Sequence, residues 1–296
     1  MKIHIHVGVH KTATTYIQNT LHANRAALHA AGIGYVNLWE LRSFFTEKLM
    51  SFTPQSFRIE DHLPRFFNNN VPGEIRGLLI SEENLIGYCG GLLNSGEPFA
   101  NAGGRLAQLR KLLAGHDITL FCALRDYHSF LSSGYCEGIR NNQKFVTFET
   151  FRSRLRWDKM NWPELLARFE QNLRPSKTLI WRYEDFRKHS KQILNALCFD
   201  AGIDLAPPGG EDAAYASFSQ TTIDTLEVLA QHLDPAIANA LINSIGKTFP
   251  KSDTCKAYEP WGRSEIKLLQ RLYRDDCQTI DPDRFLISPA FSDADF

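Results

Sequence analysis

Gly8-Val9-His10-Lys11-Thr12-Ala13-Thr14-Thr15 places one lysine and three threonines within five positions, enough side-chain donors to surround a phosphate-sized anion. The stretch follows an alternating strand pattern, Lys2-Ile3-His4-Ile5-His6-Val7, and opens a helical one near Thr14. A strand, a tight polar loop and a helix start form an anion cradle. Loop amides point inward, the helix N-terminus adds partial positive charge, and hydroxyls with the ammonium complete the shell. The plainer alternative is a strand-to-helix turn with a threonine cap. The stretch is not a Walker A sequence, because Gly8 stands three positions before Lys11 and His10, not glycine, precedes the lysine.

A second group of chemistry-bearing residues follows the apolar run 118–124. Arg125 stands where open α/β sheets place their ligands, and Ser133, eight residues on, falls two turns into the next helix. A guanidinium suits phosphate because its planar fork bonds oxygens in pairs. The alternative is an ion pair between Arg125 and Glu82 or Glu83 at a neighbouring strand end. A third group is Trp181-Arg182-Tyr183-Glu184-Asp185-Phe186, in which the acids alternatively cap the following helix. His4 and His6 alternate on one strand face without a third ligand at useful spacing, so they read as an ordinary pair and not a metal site.

These segments resemble those of sulfotransferases that use 3'-phosphoadenosine 5'-phosphosulfate (PAPS). Lys11-Thr12-Ala13-Thr14-Thr15 is similar to their K-[ST]-G-T-[ST] loop, with Ala13 in place of the glycine. Arg125 and Ser133 occupy the positions of R-[DN]-P-x-x-x-x-x-S, whose arginine and serine hold the donor's 3'-phosphate, with Tyr127 in place of the proline. Tyr183-Glu184-Asp185 resembles the Y-E-D-[LM] segment, whose tyrosine lies near the adenine. Ser217-Phe218 is similar to a pair that lies against the adenine in some members. The family's C-terminal arginine/lysine–glycine loop has no clear counterpart, which leaves Lys247, Lys251 and Arg263 as alternatives for a further phosphate ligand.

The resemblance implies a three-layer α/β sandwich of the P-loop kinase-like type with a central, mainly parallel sheet. It implies transfer of a sulfuryl group from PAPS, as co-substrate, to an acceptor hydroxyl or amine of a saccharide or small metabolite. Lys11 would stabilise charge on the departing phosphate, and no metal is required. The acceptor must lose a proton as sulfur is attacked, which calls for a base facing the donor. Ser81-Glu82-Glu83 matches in place the segment where cytosolic relatives carry a catalytic histidine, so Glu83 ranks first and Glu82 second; other branches use a glutamate after the second strand, for which Glu40 is nearest. Two alternatives remain. One is a nucleotide-dependent kinase, motivated by Asp126 as a metal-binding acid; the other is a non-catalytic nucleotide-binding protein, motivated by Ala13 and Tyr127.

The elements that must position these residues alternate along the chain. Strand patterns cover 2–9, 33–36, 76–81, 118–124 and 178–181; helical ones cover 14–31, 102–114, 127–139 and 189–201, with another from about 161. Residues 37–73, with six phenylalanines, read as a helical cap insert, and 205–296 as a helical C-terminal portion of one domain spanning 1–296. Balanced charge, with 33 basic and 33 acidic residues, gives no electrostatic footprint for nucleic acid. Six scattered cysteines without C-x-x-C read as reduced thiols, and no apolar run has the length of a membrane span. The expectation is a cytoplasmic protein of the soluble bacterial type; the oligomeric state is left open.

Overall fold

The computed structural model describes residues 1–46, 75–209, 217–289 and 291. Five strands, β1 (Lys2–His6), β2 (Ile33–Tyr35), β3 (Gly77–Ser81), β4 (Asp117–Leu124) and β5 (Lys177–Arg182), form one sheet in the order β2-β3-β1-β4-β5. Every pairing is parallel. The sheet is thus wholly parallel, where the sequence suggested mainly so, and all its strands end on the same edge.

Side chains alternate between two apolar layers, as a doubly covered parallel sheet requires. Ile3, Ile5, Ile118, Leu120 and Cys122 face one layer with Leu106, Phe130 and Leu166. These come from helices α5 (Ala102–Leu112), α6 (Tyr127–Asn142) and α8 (Trp162–Leu173), the first of which follows α4 (Cys89–Ser95) and the last α7 (Phe148–Arg154). Leu79, Phe121, Ala123 and Tyr35 face the other layer with Ile17 and Leu21 of α1 (Thr14–Ala23), Leu28 of α2 (Arg25–Ala30) and Ile193 and Leu197 of α9 (Tyr183–Leu197). Burying each such aliphatic side chain stabilises by about 1.5–3 kcal/mol, so the strands are fixed in register before any site residue is placed.

Several boundaries differ from the sequence reading. The run 14–31 is two helices, because Asn24 turns its side chain away to Thr20 O and to Ala206 O and N. The helix expected over 189–201 starts at Tyr183 and kinks at His189. Of the insert, α3 (Leu38–Leu41) and a π-helical turn over Arg42–Thr46 are helical as expected; residues 47–73, with four of the phenylalanines, lie outside the described residues. The C-terminal portion supplies α10 (Gln220–His232), α11 (Pro235–Thr248) and α12 (Arg263–Thr279). It is not helical throughout: Phe285 forms a parallel bridge to Ile180, and Leu286 N donates to Ile180 O, so the chain returns to the β5 edge. None of the six cysteines is in a disulfide, and five are buried.

Candidate functional site

The central position of β1 determines the site. His6 pairs in register with Ser81 of β3 on one side and Phe121 of β4 on the other. The loop leaving β1 therefore emerges between the ends of those two strands. Glu82 and Glu83 lie on one flank, Arg125 on the other, and Tyr183 one strand further at the end of β5.

The loop is held in an uncommon conformation. Lys11 and Ala13 are both left-handed, with φ of 67° and 61°. Alternation of this kind turns backbone N–H groups into a concave nest. The glycine expected at position 13 would supply that φ freely, and alanine takes it here at a cost of about 1 kcal/mol. No side chain caps α1, and its first turn carries no acid, so its leading amides are not engaged by a capping residue. Thr14 Oγ is buried in this turn without a hydrogen-bond partner. The Thr14 hydroxyl thus stands unpartnered beside helix-start amides that no side chain caps. Thr12 is different: it is fully buried and its hydroxyl donates to Val9 O at 2.6 Å, so only its backbone can serve an anion. Gly8 is required by that bond, since a Cβ there would stand 2.6 Å from Thr12 Oγ. Thr15 is half-buried at the second helical position.

Arg125 joins three segments. Its Nη1 donates to Lys11 O at 2.6 Å, its Nε to Ser129 Oγ at 2.9 Å, and its guanidinium lies 4.6 Å over the Tyr183 ring. Arg125 does not pair with the glutamates across the sheet. Arg42 from the insert does so instead, with Nε 2.7 Å from Glu82 and Nη2 3.2 Å from Glu83. Ser133 is buried on α6 between Ser129 and Glu137, each four residues away on one helical face.

The acids separate by environment. Glu82 is fully buried, accepts from Arg42, Thr46 and the Asn84 amide, and is pushed upward in pKa by burial despite Arg42. Its oxygens are engaged in holding the turn, which makes it both an arginine partner and a cap. Glu83 remains partly exposed, with Gln18 Nε2 at 2.9 Å on one oxygen and Arg42 on the other. Glu40 is exposed in the first turn of α3, its amide bonded to Asn37. The structure thus brings Glu83, not Glu40, to the strand edge beside the loop.

Asp126 caps α6, accepting from the amides of His128 and Ser129 and from the Ser129 hydroxyl. Burial alone would raise its carboxyl, but the His128 and Ser129 bonds hold it below the usual aspartate range. Tyr127, at the expected proline position, is a core residue: it stacks on Trp162 with centroids 4.9 Å apart, and its hydroxyl bonds Asp276. Glu184 accepts from the Asp126 amide and Tyr273, and Asp185 clamps Arg182 at 2.7 Å, so both acids are structural. Phe218 is buried under the Arg140 guanidinium and against Gly246. Among the described residues no group of three His, Cys, Asp or Glu side chains could hold a metal ion.

His4 bonds Leu197 O and stacks on Phe199, and His6 bonds Ser81 Oγ inside the core, where complete burial lowers its pKa to about 3. Three residues at the site carried no role in the sequence. His10, its pKa lowered by burial, ties the loop to Gly87 O at 2.8 Å. Gln18, one turn past Thr14, links α1 to Ser81 O and Glu83. Glu137 pairs with Lys11 at 3.3 Å; its only signal was its place on the Ser129–Ser133 face. Burial, then the like charges of Lys11 and Arg125, hold the Lys251 ammonium below the usual lysine range.

No family model matches the chain, and no curated protein matches it. A crystal structure of a sulfotransferase from Alicyclobacillus acidocaldarius aligns with 82% of this chain and 98% of its own, at 16% identity and a TM-score of 0.43. The residues of the site, not this likeness, carry the reading below. The fold and site define an α/β protein whose loop after β1 meets Arg125 and Tyr183 at the carboxyl edge of a parallel sheet.

Proposed function

We propose that the protein is a PAPS-dependent sulfotransferase, moving a sulfuryl group to a hydroxyl or amine of a saccharide or small-molecule acceptor. The observation that carries the reading is the meeting of three segments on Arg125. Its guanidinium bonds the Lys11 carbonyl of the loop and covers the Tyr183 ring, so the residues matched to the sulfotransferase pattern share one site.

In this reading the backbone of Thr12, Ala13, Thr14 and Thr15, with the Thr14 hydroxyl, binds the 5'-phosphate of the donor. Arg125, Ser133 and Lys251 take the 3'-phosphate, and Tyr183 lies beside the adenine. PAPS supplies the activated sulfuryl group. Lys11 neutralises charge that grows on the departing phosphate oxygen as the S–O bond breaks. Glu83 accepts the acceptor's proton, its carboxylate aimed by Gln18 and Arg42. In this reading Glu83 is favoured over Glu82, whose oxygens hold the turn, and over Glu40, which is exposed on α3. The kinase alternative loses its motivating residue, since the Asp126 carboxylate is engaged by α6.

Thermal unfolding tests the assignment. Adenosine 3',5'-bisphosphate at a hundredfold excess over its Kd stabilises by about 2.7 kcal/mol through mass action. Stabilisation by magnesium-ATP with none by the bisphosphate would overturn it.

A further inference from the structure

We propose that Glu137 is the internal counter-ion of the cradle and sets how much negative charge the loop accepts. The inference rests on the reading of the loop as the donor's anion site. Glu137 Oε2 takes Lys11 Nζ at 3.3 Å and Arg140 Nη1 at 3.0 Å. Arg140 is itself seated on the Phe218 ring, so the carboxylate is anchored from behind. Its side chain is 17% exposed, and charges so placed are screened much less than surface pairs. Ser129, Ser133 and Glu137 follow one another at four-residue steps on α6, so the carboxylate stands on the same stripe as the serine bonded to Arg125.

An anion bound by Lys11 must compete with Glu137 for the ammonium and also approaches its negative charge. Both costs grow with the charge of the group nearest Lys11. A terminal sulfuryl carries one negative charge, whereas a terminal phosphoryl carries up to two. Glu137 therefore penalises the phosphoryl more, and the loop discriminates by charge between two groups of the same tetrahedral shape. This is negative selection by a like charge, which sets specificity without any added contact to the favoured ligand.

Calorimetry with adenosine 5'-phosphosulfate and ADP, matched in shape and differing in terminal charge, tests the proposal on wild type, Glu137→Gln and Glu137→Asp. The wild type binds the phosphosulfate more tightly. In Glu137→Gln both ligands bind more tightly and the preference narrows by about tenfold, the size of one like-charge contact in a poorly screened site. Glu137→Asp keeps the charge and the wild-type preference. If Glu137 only positioned Lys11, both ligands would weaken in Glu137→Gln with their ratio unchanged, and the proposal would fall. Binding of neither nucleotide by the wild type would overturn it too. Adenosine 3',5'-bisphosphate binding no tighter than adenosine 5'-phosphate would remove the PAPS reading alone, because the phosphosulfate-to-ADP ratio still reports on Glu137.

Discussion

Arg125→Ala separates a ligand contact from a structural tether. In the native protein the guanidinium makes two hydrogen bonds, at 2.6 Å to Lys11 O and 2.9 Å to Ser129 Oγ, and stacks on Tyr183 at 4.6 Å. Hydrogen bonds to charged groups contribute roughly 1.5–3 kcal/mol in a protected setting, and exposed cation–π contacts about 0.5–1 kcal/mol. Arg125 is half-buried, so the low end applies to each contact and unfolding stability should fall by roughly 3.5 kcal/mol. Loosening of the loop weakens any ligand held by its amides, and this loss is common to adenosine 5'-phosphate and adenosine 3',5'-bisphosphate. The extra loss for the bisphosphate isolates the direct 3'-phosphate contact, expected at about one to two decades in Kd. Isothermal titration of both ligands against wild type, Arg125→Ala and Arg125→Lys measures it. Lysine keeps the charge but not the fork, so it should recover only part of the difference. Equal losses for the two ligands would refute the reasoning and leave Arg125 as a tether of the Lys11 loop.

Three further outcomes follow from the site. Lys11→Ala should leave the fold intact while sulfuryl transfer falls by about two orders of magnitude or more, measured as turnover of purified protein against an acceptor panel. Glu83→Gln should abolish turnover and preserve binding of adenosine 3',5'-bisphosphate; a normal Glu83→Gln enzyme beside a dead Glu40→Gln would move the base to α3. His6, lowered to about 3 by burial, is neutral in the folded state and protonates near 6.5 when unfolded. The unfolded chain then binds the extra proton, so stability falls on acidification through the window from 6.5 to 3, by up to about 1.4 kcal/mol per pH unit. Urea unfolding at several pH values should show that slope, and His6→Asn should flatten it.

What the sequence made legible was whatever is local or periodic. Alternating apolar residues marked the strands, and a parallel sheet with β1 at its centre brings the loop, Arg125 and Tyr183 to one edge. The donor density of Lys11–Thr15 needed no tertiary knowledge. Arg42 did: it lies some forty residues before Glu82, and only the fold brings it to the acids that the sequence offered Arg125 as alternative partners. Tyr127 departs from the pattern for a reason that lies in packing against Trp162 and Asp276 from elements far along the chain. The break at Asn24 is not legible locally, because the bond to Ala206 that helps cause it is equally remote. Spacing does not separate Lys251 from Lys247 and Arg263, and the repulsion Lys251 feels from Lys11 and Arg125 is a tertiary effect.

The strained loop is the feature in which fold and proposed chemistry meet most closely. Two non-glycine residues with positive φ cost about 1–2 kcal/mol each, and such strain persists only where the surroundings over-determine it. Here the surroundings are three tethers on successive residues of the loop. His10 is bonded to Gly87 O, Lys11 O accepts from Arg125, and Thr12 is bonded to Val9 O. They reach the turn after β3, the end of β4 and the loop itself, so the amides are fixed from both flanking strands. A cradle held in this way need not reorganise when an anion binds, and electrostatic stabilisation is most effective when donors are already in place. Alanine at position 13 then changes the cost of the conformation without changing the conformation, because the tethers, not the glycine, hold it.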